Sequence, residues 1–435
     1  MLTRWYKTTF EALDIRDYRV LWWGSTLATL AFMMTRTVQS VVAFDLGGDS
    51  TTVGVVALGS GISMILIGPI GGVLADRLSK RLVLLVGQSL VGFCFAVIGV
   101  LIYVDVITIW MLVALSFVMG FSFAFIGPTR QAYVGEVVSR ELLPNAVALS
   151  QLSMGFSRVA SPMLAGGLIA LSFSGTGGTY LVMGGILFAV VATIWMLPSS
   201  QPAPSGRSLT GDFRAGVDHV RQRPRLLLLV LSFVLVVIIG MPYVTVLPAL
   251  LENELGRSSN TIGLLFTIEA IGGLLTGLIV AGSVRGDRAR QVMITLGIMF
   301  GVALIALALV PSFELALVAI FFMGVGLTGF QLTNNALLMM EADREYFGRV
   351  MSLVMLAWGG QGLTALPIGM LADRIGERWV LAIQGGVVIV VVLLAGVAFA
   401  MVERRTPPVA SSWQPAEEPE PEPEAEAEPA IVGPR

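Results

Sequence analysis

The sequence predicts an all-α polytopic membrane protein, twelve spanning helices in two pseudo-symmetric six-helix bundles. Three observations predict it. The 435 residues are 55% hydrophobic and 13% charged with a mean hydropathy of +0.84, whereas soluble domains carry roughly a quarter charged residues. The apolar residues gather into about twelve runs of the ~20 residues that a helix needs to cross ~30 Å of hydrocarbon. Short features of the first half return in the same order in the second half.

Taken along the chain, residues 1–19 form a polar, amphipathic segment expected on the cytoplasmic side. The apolar run after Arg19 is too long for the core of a cleavable signal, so it is the first span. The first bundle, 20–198, holds spans near 20–44, 53–75, 82–103, 107–131, 146–171 and 179–197. The second, 225–402, holds spans near 225–250, 260–283, 292–311, 314–340, 349–372 and 379–402. Between them, the connector 199–224 places Leu209, Phe213, Val217 and Val220 on one helical face with Arg214, Arg221 and Arg223 elsewhere, a pattern suited to a helix lying on the membrane surface. Residues 403–435 are Pro/Glu/Ala-rich and expected to be disordered, because they have no apolar area to bury. The seven glutamates from Glu417 to Glu428 explain the net charge of −2; without the tail the remainder is basic.

Lysine and arginine bias sets the orientation. Segments on the side of the N-terminus hold most of the basic residues, among them Arg16, Arg19, Arg77, Lys80, Arg81, Arg140, Arg223, Arg288 and Arg349; the opposite loops hold Arg257, Arg374 and Arg378. Both termini are therefore expected in the cytoplasm. The halves echo through Ser50-Thr51-Thr52-Val53-Gly54 and Ser259-Asn260-Thr261-Ile262-Gly263, Asp76-Arg77 and Asp287-Arg288, and Arg140-Glu141 and Arg344-Glu345. Ordered echoes of this kind are expected of two parallel six-helix repeats with a central site between them.

The loop Gly72-Val73-Leu74-Ala75-Asp76-Arg77-Leu78-Ser79-Lys80-Arg81 resembles the signature between the second and third helices of the major facilitator superfamily. Arg140-Glu141-Leu142-Leu143-Pro144-Asn145-Ala146, then Arg158, Ser161-Pro162 and Ala165-Gly166-Gly167, and later Gly348-Arg349-Val350-Met351-Ser352-Leu353, resemble its drug- and siderophore-exporting branch, the transmembrane secretion effectors (enterobactin-exporter-like). Two departures are present: Ser79 stands where the loop's second glycine is usual, and Ser161-Pro162 replaces the Gly-Pro of the antiporter motif. The resemblance covers about residues 15–402 and implies the major facilitator fold, alternating access, export of small amphipathic molecules from a bacterial cytoplasmic membrane, and proton antiport. It also implies a conformational latch of Gly72, Asp76, Arg77, Lys80, Arg81 and Glu136, in which Asp76 caps the start of the eleventh helix and Lys80 pairs with Glu136. Alternatives within the same fold are a nutrient or lysophospholipid-like lipid transporter, or a membrane sensor that no longer transports.

Charges deep in the spans carry the most weight, since each costs at least ~2.5–3.5 kcal/mol on insertion scales. Arg36, Arg158 and Glu269 stand out. Arg36 and Glu269 each lie nine residues from an outer loop, so at 1.5 Å per residue both sit ~14 Å deep. An ion pair of Glu269 with Arg36 or Arg158 would bridge the bundles. Burial raises and a neighbouring arginine lowers a carboxylate's pKa, which makes Glu269 the proton-coupling candidate; the alternative is a static pair that fixes register. Gln39, Thr245, Gln331, Asn334, Asn335 and Gln361 are further cavity candidates, uncharged groups able to orient a substrate or to bond neighbouring helices. Met33, Met34, Met241 and Met355 are candidates for a deformable apolar wall.

Composition excludes other classes. Cys94 and His219 are the single cysteine and histidine, so neither a disulfide framework nor a nucleophile–base pair is available. His219 is expected on the surface of the connector helix. There is no phosphate-binding loop, so ATP is not the expected energy source. The expected partners are a small-molecule substrate, protons and the bilayer, with no cofactor, metal or nucleic acid, and the expected state is a monomer.

Overall fold

The computed structural model describes residues 10–171, 175–199, 209–283, 288–343 and 346–405; the side chains of 68–77, 209–213, 281–283, 347–348 and 403–405 lie outside that description. Within it the first bundle comprises α1 (Arg16–Gly47), α2 (Ser50–Arg77), α3 (Lys80–Tyr103), α4 (Ile109–Val137), α5 (Leu143–Ala170) and α6 (Gly175–Ile194). The connector helix α7 (Leu209–Gln222) follows. The second bundle comprises α8 (Pro224–Gly240), α9 (Tyr243–Ala249), α10 (Ile262–Ser283), α11 (Arg288–Leu309), α12 (Phe313–Glu341), α13 (Phe347–Ile375) and α14 (Glu377–Arg405). The membrane face nearer Arg16 and α7 is called inner below, following the arginine bias.

Among the described residues, 11 spans are long and apolar enough to cross a membrane by length and composition. Helix α5 completes the twelve. Its 28 residues fall short in hydropathy because Ser150, Gln151, Ser153, Ser157, Arg158 and Ser161 punctuate it. Part of that polarity is spent on helix α1: the Ser153 and Thr26 hydroxyls share a hydrogen bond of 2.7 Å, and Ser161 donates to the Leu30 carbonyl at 3.0 Å. Tyr18 and Trp22 extend the seam by donating to the carbonyls of Ala146 and Leu149. Hydrocarbon offers no competing partners, so these bonds fasten α1 to α5.

The seventh span, Pro224–Glu254, is broken at Gly240-Met241-Pro242. Pro242 has no N–H, so the Ile238 carbonyl loses its helical donor. Thr364 of α13 donates to that carbonyl at 2.7 Å, and Gln384 of α14 donates to the Ile239 carbonyl at 2.8 Å. The break is thereby satisfied from neighbouring helices, and it turns the start of α9 toward α1.

Two helix pairs make the most extensive contacts between the bundles among the described residues, α2 with α13 and α5 with α10. Both rely on glycine. A Cβ added to Gly61 would lie 2.7 Å from the Gly362 Cα, and one added to Gly263 would lie 2.7 Å from the Gly166 Cα. Small residues let the backbones approach to where dispersion, the main attraction left in lipid, is effective.

The connector helix docks on α13, where Gly216 sits against Arg349. His219 departs from the expectation of a surface residue. Its side chain is 9% exposed, and its ring stacks on Tyr346 with centroids 4.1 Å apart and planes within 3°. Apolar residues alone had defined the buried face in the sequence, whereas the aromatic stack rotates the histidine inward. Burial first, then Arg223 and Arg349, hold the His219 pKa below its ordinary 6.5, against the opposing pull of Asp343. A histidine with a depressed folded pKa contributes stability that is complete above the unfolded value and is lost as pH falls through the folded value. Protection against hydrogen exchange in 209–222, measured against the intrinsic exchange rate at each pH, is therefore expected to fall as pH drops below about 6.5, and His219→Phe is expected to remove that dependence. Equal pH dependence in the two proteins would refute the stacked, neutral histidine.

Candidate functional site

The site begins with α1. Its stripe Thr29, Met33 and Arg36 must face protein, because lipid cannot solvate a guanidinium. Arg36 reaches from the first bundle into the second. Its Nη2 donates to the Tyr243 hydroxyl at 2.6 Å and lies 3.5 Å from Glu269 Oε2. Its guanidinium carbon also lies 4.3 Å from the Phe266 ring centroid and 5.7 Å from that of Tyr243, within cation–π range. Helix α10 supplies Glu269 and Phe266 from one face, about a turn apart, while the Pro242 break delivers Tyr243 from α9. Glu269 is 8% exposed and Tyr243 fully buried, whereas the Arg36 side chain is 38% exposed. The arginine is therefore the accessible member of a pair otherwise enclosed by the second bundle.

Arg158 lies within electrostatic range of Glu269 and Arg36 but forms no ion pair within 4.0 Å among the described residues. Its position on α5 shows where the accessible space is. Val147, Gln151, Met154 and Arg158 fall on one helical stripe and are exposed. Pro162, Ala165 and Ile169 continue that stripe outward and are buried where Gly166 meets Gly263. Helices α5 and α10 thus close at the outer end and part toward the inner end. Arg36 and Arg158 look into a cleft that opens inward.

The remaining candidates divide. Gln331 and Asn335, one turn apart on α12, keep a buried amide nitrogen and a buried amide oxygen respectively without hydrogen-bond partners among the described residues. Asn334 donates within its own bundle to the Leu229 carbonyl at 3.2 Å, and Gln39 donates to Ser116 within the first bundle; both are packing contacts in this state. Thr245 is buried in α9 and Gln361 is half-buried on α13. Met33 is half-buried and Met355 exposed, while Met34 and Met241 belong to the core.

At the inner end, Lys80 pairs with Glu136 across α3 and α4. Arg81 turns instead to α6, donating to the Trp195 carbonyl and lying 5.8 Å from that indole's centroid. The side chains of Gly72, Asp76 and Arg77 lie outside the described residues.

Sequence reasoning missed two members. Tyr243 was hidden by its place beside a break instead of within a periodic span. Arg130 sits close to the inner end of α4, where it reads as a topogenic charge; it donates to the Thr29 hydroxyl at 2.9 Å and has no carboxylate within 4.0 Å among the described residues.

With this geometry in place, comparison with known proteins is decisive for the family. The sequence pattern of the transmembrane secretion effectors of the major facilitator superfamily matches residues 7–430. The chain belongs to that family. Members are membrane transporters and not enzymes. The macrolide efflux protein A of Streptococcus pyogenes is 23% identical over 391 residues, covering 87% of this chain and 94% of the relative. The staphyloferrin A transporter of Staphylococcus aureus is 22% identical, covering 74% and 81%. The enterobactin exporter of Shigella flexneri is 27% identical, covering 69% and 70%. The fold is shared with a bacterial homologue of the lysosomal transporter Spinster, at a TM-score of 0.70, 14% identity and coverage of 92% and 99%. A POT family transporter is similar at a TM-score of 0.73 and 14% identity, covering 89% and 96%.

If Arg36 and Glu269 stabilise one another across the bundles of this secretion effector, their substitutions will not add. A cycle of Arg36→Met, Glu269→Gln and the double variant, followed by thermal unfolding in detergent, is expected to show a coupling of about 1 kcal/mol, modest because the arginine is partly solvated. Strict additivity would remove the pair from the structure's energetics.

Proposed function

We propose that the protein exports small amphipathic molecules from the cytoplasm in exchange for protons, with both termini cytoplasmic and the two bundles rocking about the Arg36–Glu269 pair. The observation that carries this reading is that one accessible arginine of the first bundle is held by a carboxylate and a phenol of the second. Closed, this bridge ties the bundles together across the cleft. Two events can undo it. A proton on Glu269 removes the carboxylate's charge, and a substrate group that accepts hydrogen bonds can take Arg36 for itself. If only those two forms reorient, one substrate leaves for each proton that enters.

Charge balance favours a cargo with an acidic or strongly hydrogen-bond-accepting group. Arg36, Arg130 and Arg158 face a single deep carboxylate, Glu269, and unpaired charge in hydrocarbon is costly. An anionic group placed at Arg158 would offset part of that excess. Gln331 and Asn335 would orient the rest of the molecule through the donor and acceptor they leave unpaired. Relatives named for macrolide efflux and for siderophore transport are consistent with cargo of this size.

Proton movement in everted vesicles tests the reading with macrolides, dyes and carboxylate siderophores. Addition of a transported compound is expected to discharge a preformed proton gradient in the parent protein and to leave it intact in Glu269→Gln. Undiminished discharge in that variant would leave Glu269 a structural partner, and no response to any compound would count against export of this class.

A further inference from the structure

The latch signature occurs twice. Gly72-Val73-Leu74-Ala75-Asp76-Arg77-Leu78-Ser79-Lys80-Arg81 ends α2 at the inner face, and Gly369-Met370-Leu371-Ala372-Asp373-Arg374-Ile375-Gly376-Glu377-Arg378 ends α13 at the outer face. The glycine absent at Ser79 is present in the second copy as Gly376, whose φ of +93° ends α13 in a conformation that a side chain would strain.

The second copy is engaged. Asp373 accepts from the Ser50 N–H at 2.9 Å through one carboxylate oxygen, and from the Thr51 N–H at 2.8 Å and the Thr51 hydroxyl through the other. Asp49 caps the same helix locally, accepting from the Thr52 N–H at 2.7 Å. The first three N–H groups of α2 are therefore satisfied, two of them by the opposite bundle. The carboxylate stands in the last turn of its own helix, where the helix dipole disfavours it, and at the first turn of α2, where the dipole favours it. Around it, Asn253 donates to Glu377 at 2.8 Å, and Arg378 meets Glu254 at 2.7 Å. Glu254 closes the seventh span as Glu136 closes the fourth. Exchange of the second helix with the eleventh and the fourth with the seventh is the correspondence expected of inverted repeats about an axis in the membrane plane.

We infer that Gly369–Arg378 is an outer-gate latch, in which Asp373 holds the cleft closed to the outside by capping α2 and must let go before the outer end opens. It is the inverted counterpart of the inner loop, with the same two helices exchanging the roles of bearer and receiver. Asp373 is thus a positioning residue for the transport cycle that sets how often the cleft faces outward. The inference rests on the rocking of two bundles, but the distance that tests it depends on neither substrate nor proton.

The test uses the full chain in nanodiscs with Cys94→Ala as background and spin labels at Val106→Cys and Leu309→Cys, positions 50% and 73% exposed near the outer ends of opposite bundles. Electron–electron distance distributions are expected to be dominated by one short separation in the background protein. In Asp373→Ala the ratio of long to short separations is expected to rise about five- to tenfold, the size of one lost helix cap. Asp49→Ala removes the local cap and leaves the bond between bundles, so it separates the latch from simple fraying of α2. An unchanged distribution in Asp373→Ala, or an equal shift in Asp49→Ala, would overturn the inference.

Discussion

A guanidinium in hydrocarbon must bring its acceptors with it, and among the described residues Arg36 finds its acceptors in the other bundle. That constraint organises the centre of the molecule. Tyr243 can serve because Pro242 interrupts the seventh span, and the interruption is tolerable because Thr364 and Gln384 take up the carbonyls it frees. A single arginine thereby accounts for a broken helix, a buried phenol and a buried carboxylate that would each be costly alone.

The contacts that join the bundles are of two chemical kinds, and the division suits a machine that moves. Glycine-to-glycine approaches along α2–α13 and α5–α10 are apolar, short-ranged and indifferent to ions. The Arg36–Glu269 bridge and the Asp373 cap involve charged groups, for which water or another polar group can compete. Rocking on the first kind and locking with the second needs no large rearrangement inside either bundle. The separation of α5 from α10 toward the inner face fits this view, since the glycine contact lies at the end that stays closed.

The fold was legible because the membrane leaves few options: long apolar runs must be helices, and basic loops are biased to one side. The pairing of Glu269 was legible to within two arginines, and depth alone did not choose between them. The choice fell to Arg36 because the Pro242 break placed Tyr243 beside it, and broken spans carry no periodic signal. Arg130 was obscure for a different reason: an arginine near a helix end reads as a topological charge until its neighbours are known. The second copy of the loop signature stands in the sequence at Gly369–Arg378, but the parallel repeat points to Asp287-Arg288, whereas the inverted relation connects the second helix to the eleventh. His219 escaped because an amphipathic face counted from aliphatic residues leaves out aromatic stacking.

The docking of α7 has a mechanical consequence. Because Gly216 and His219 bind the connector helix to the α13 region, and Arg223 bonds Asp343, α7 travels with the second bundle. Along the chain the first bundle is joined to α7 by residues 199–209, whose contour cannot exceed about 35 Å. The connector is a leash of fixed reach: however the two bundles move, Ser199, just past the end of α6, cannot draw farther from the start of α7 than that contour.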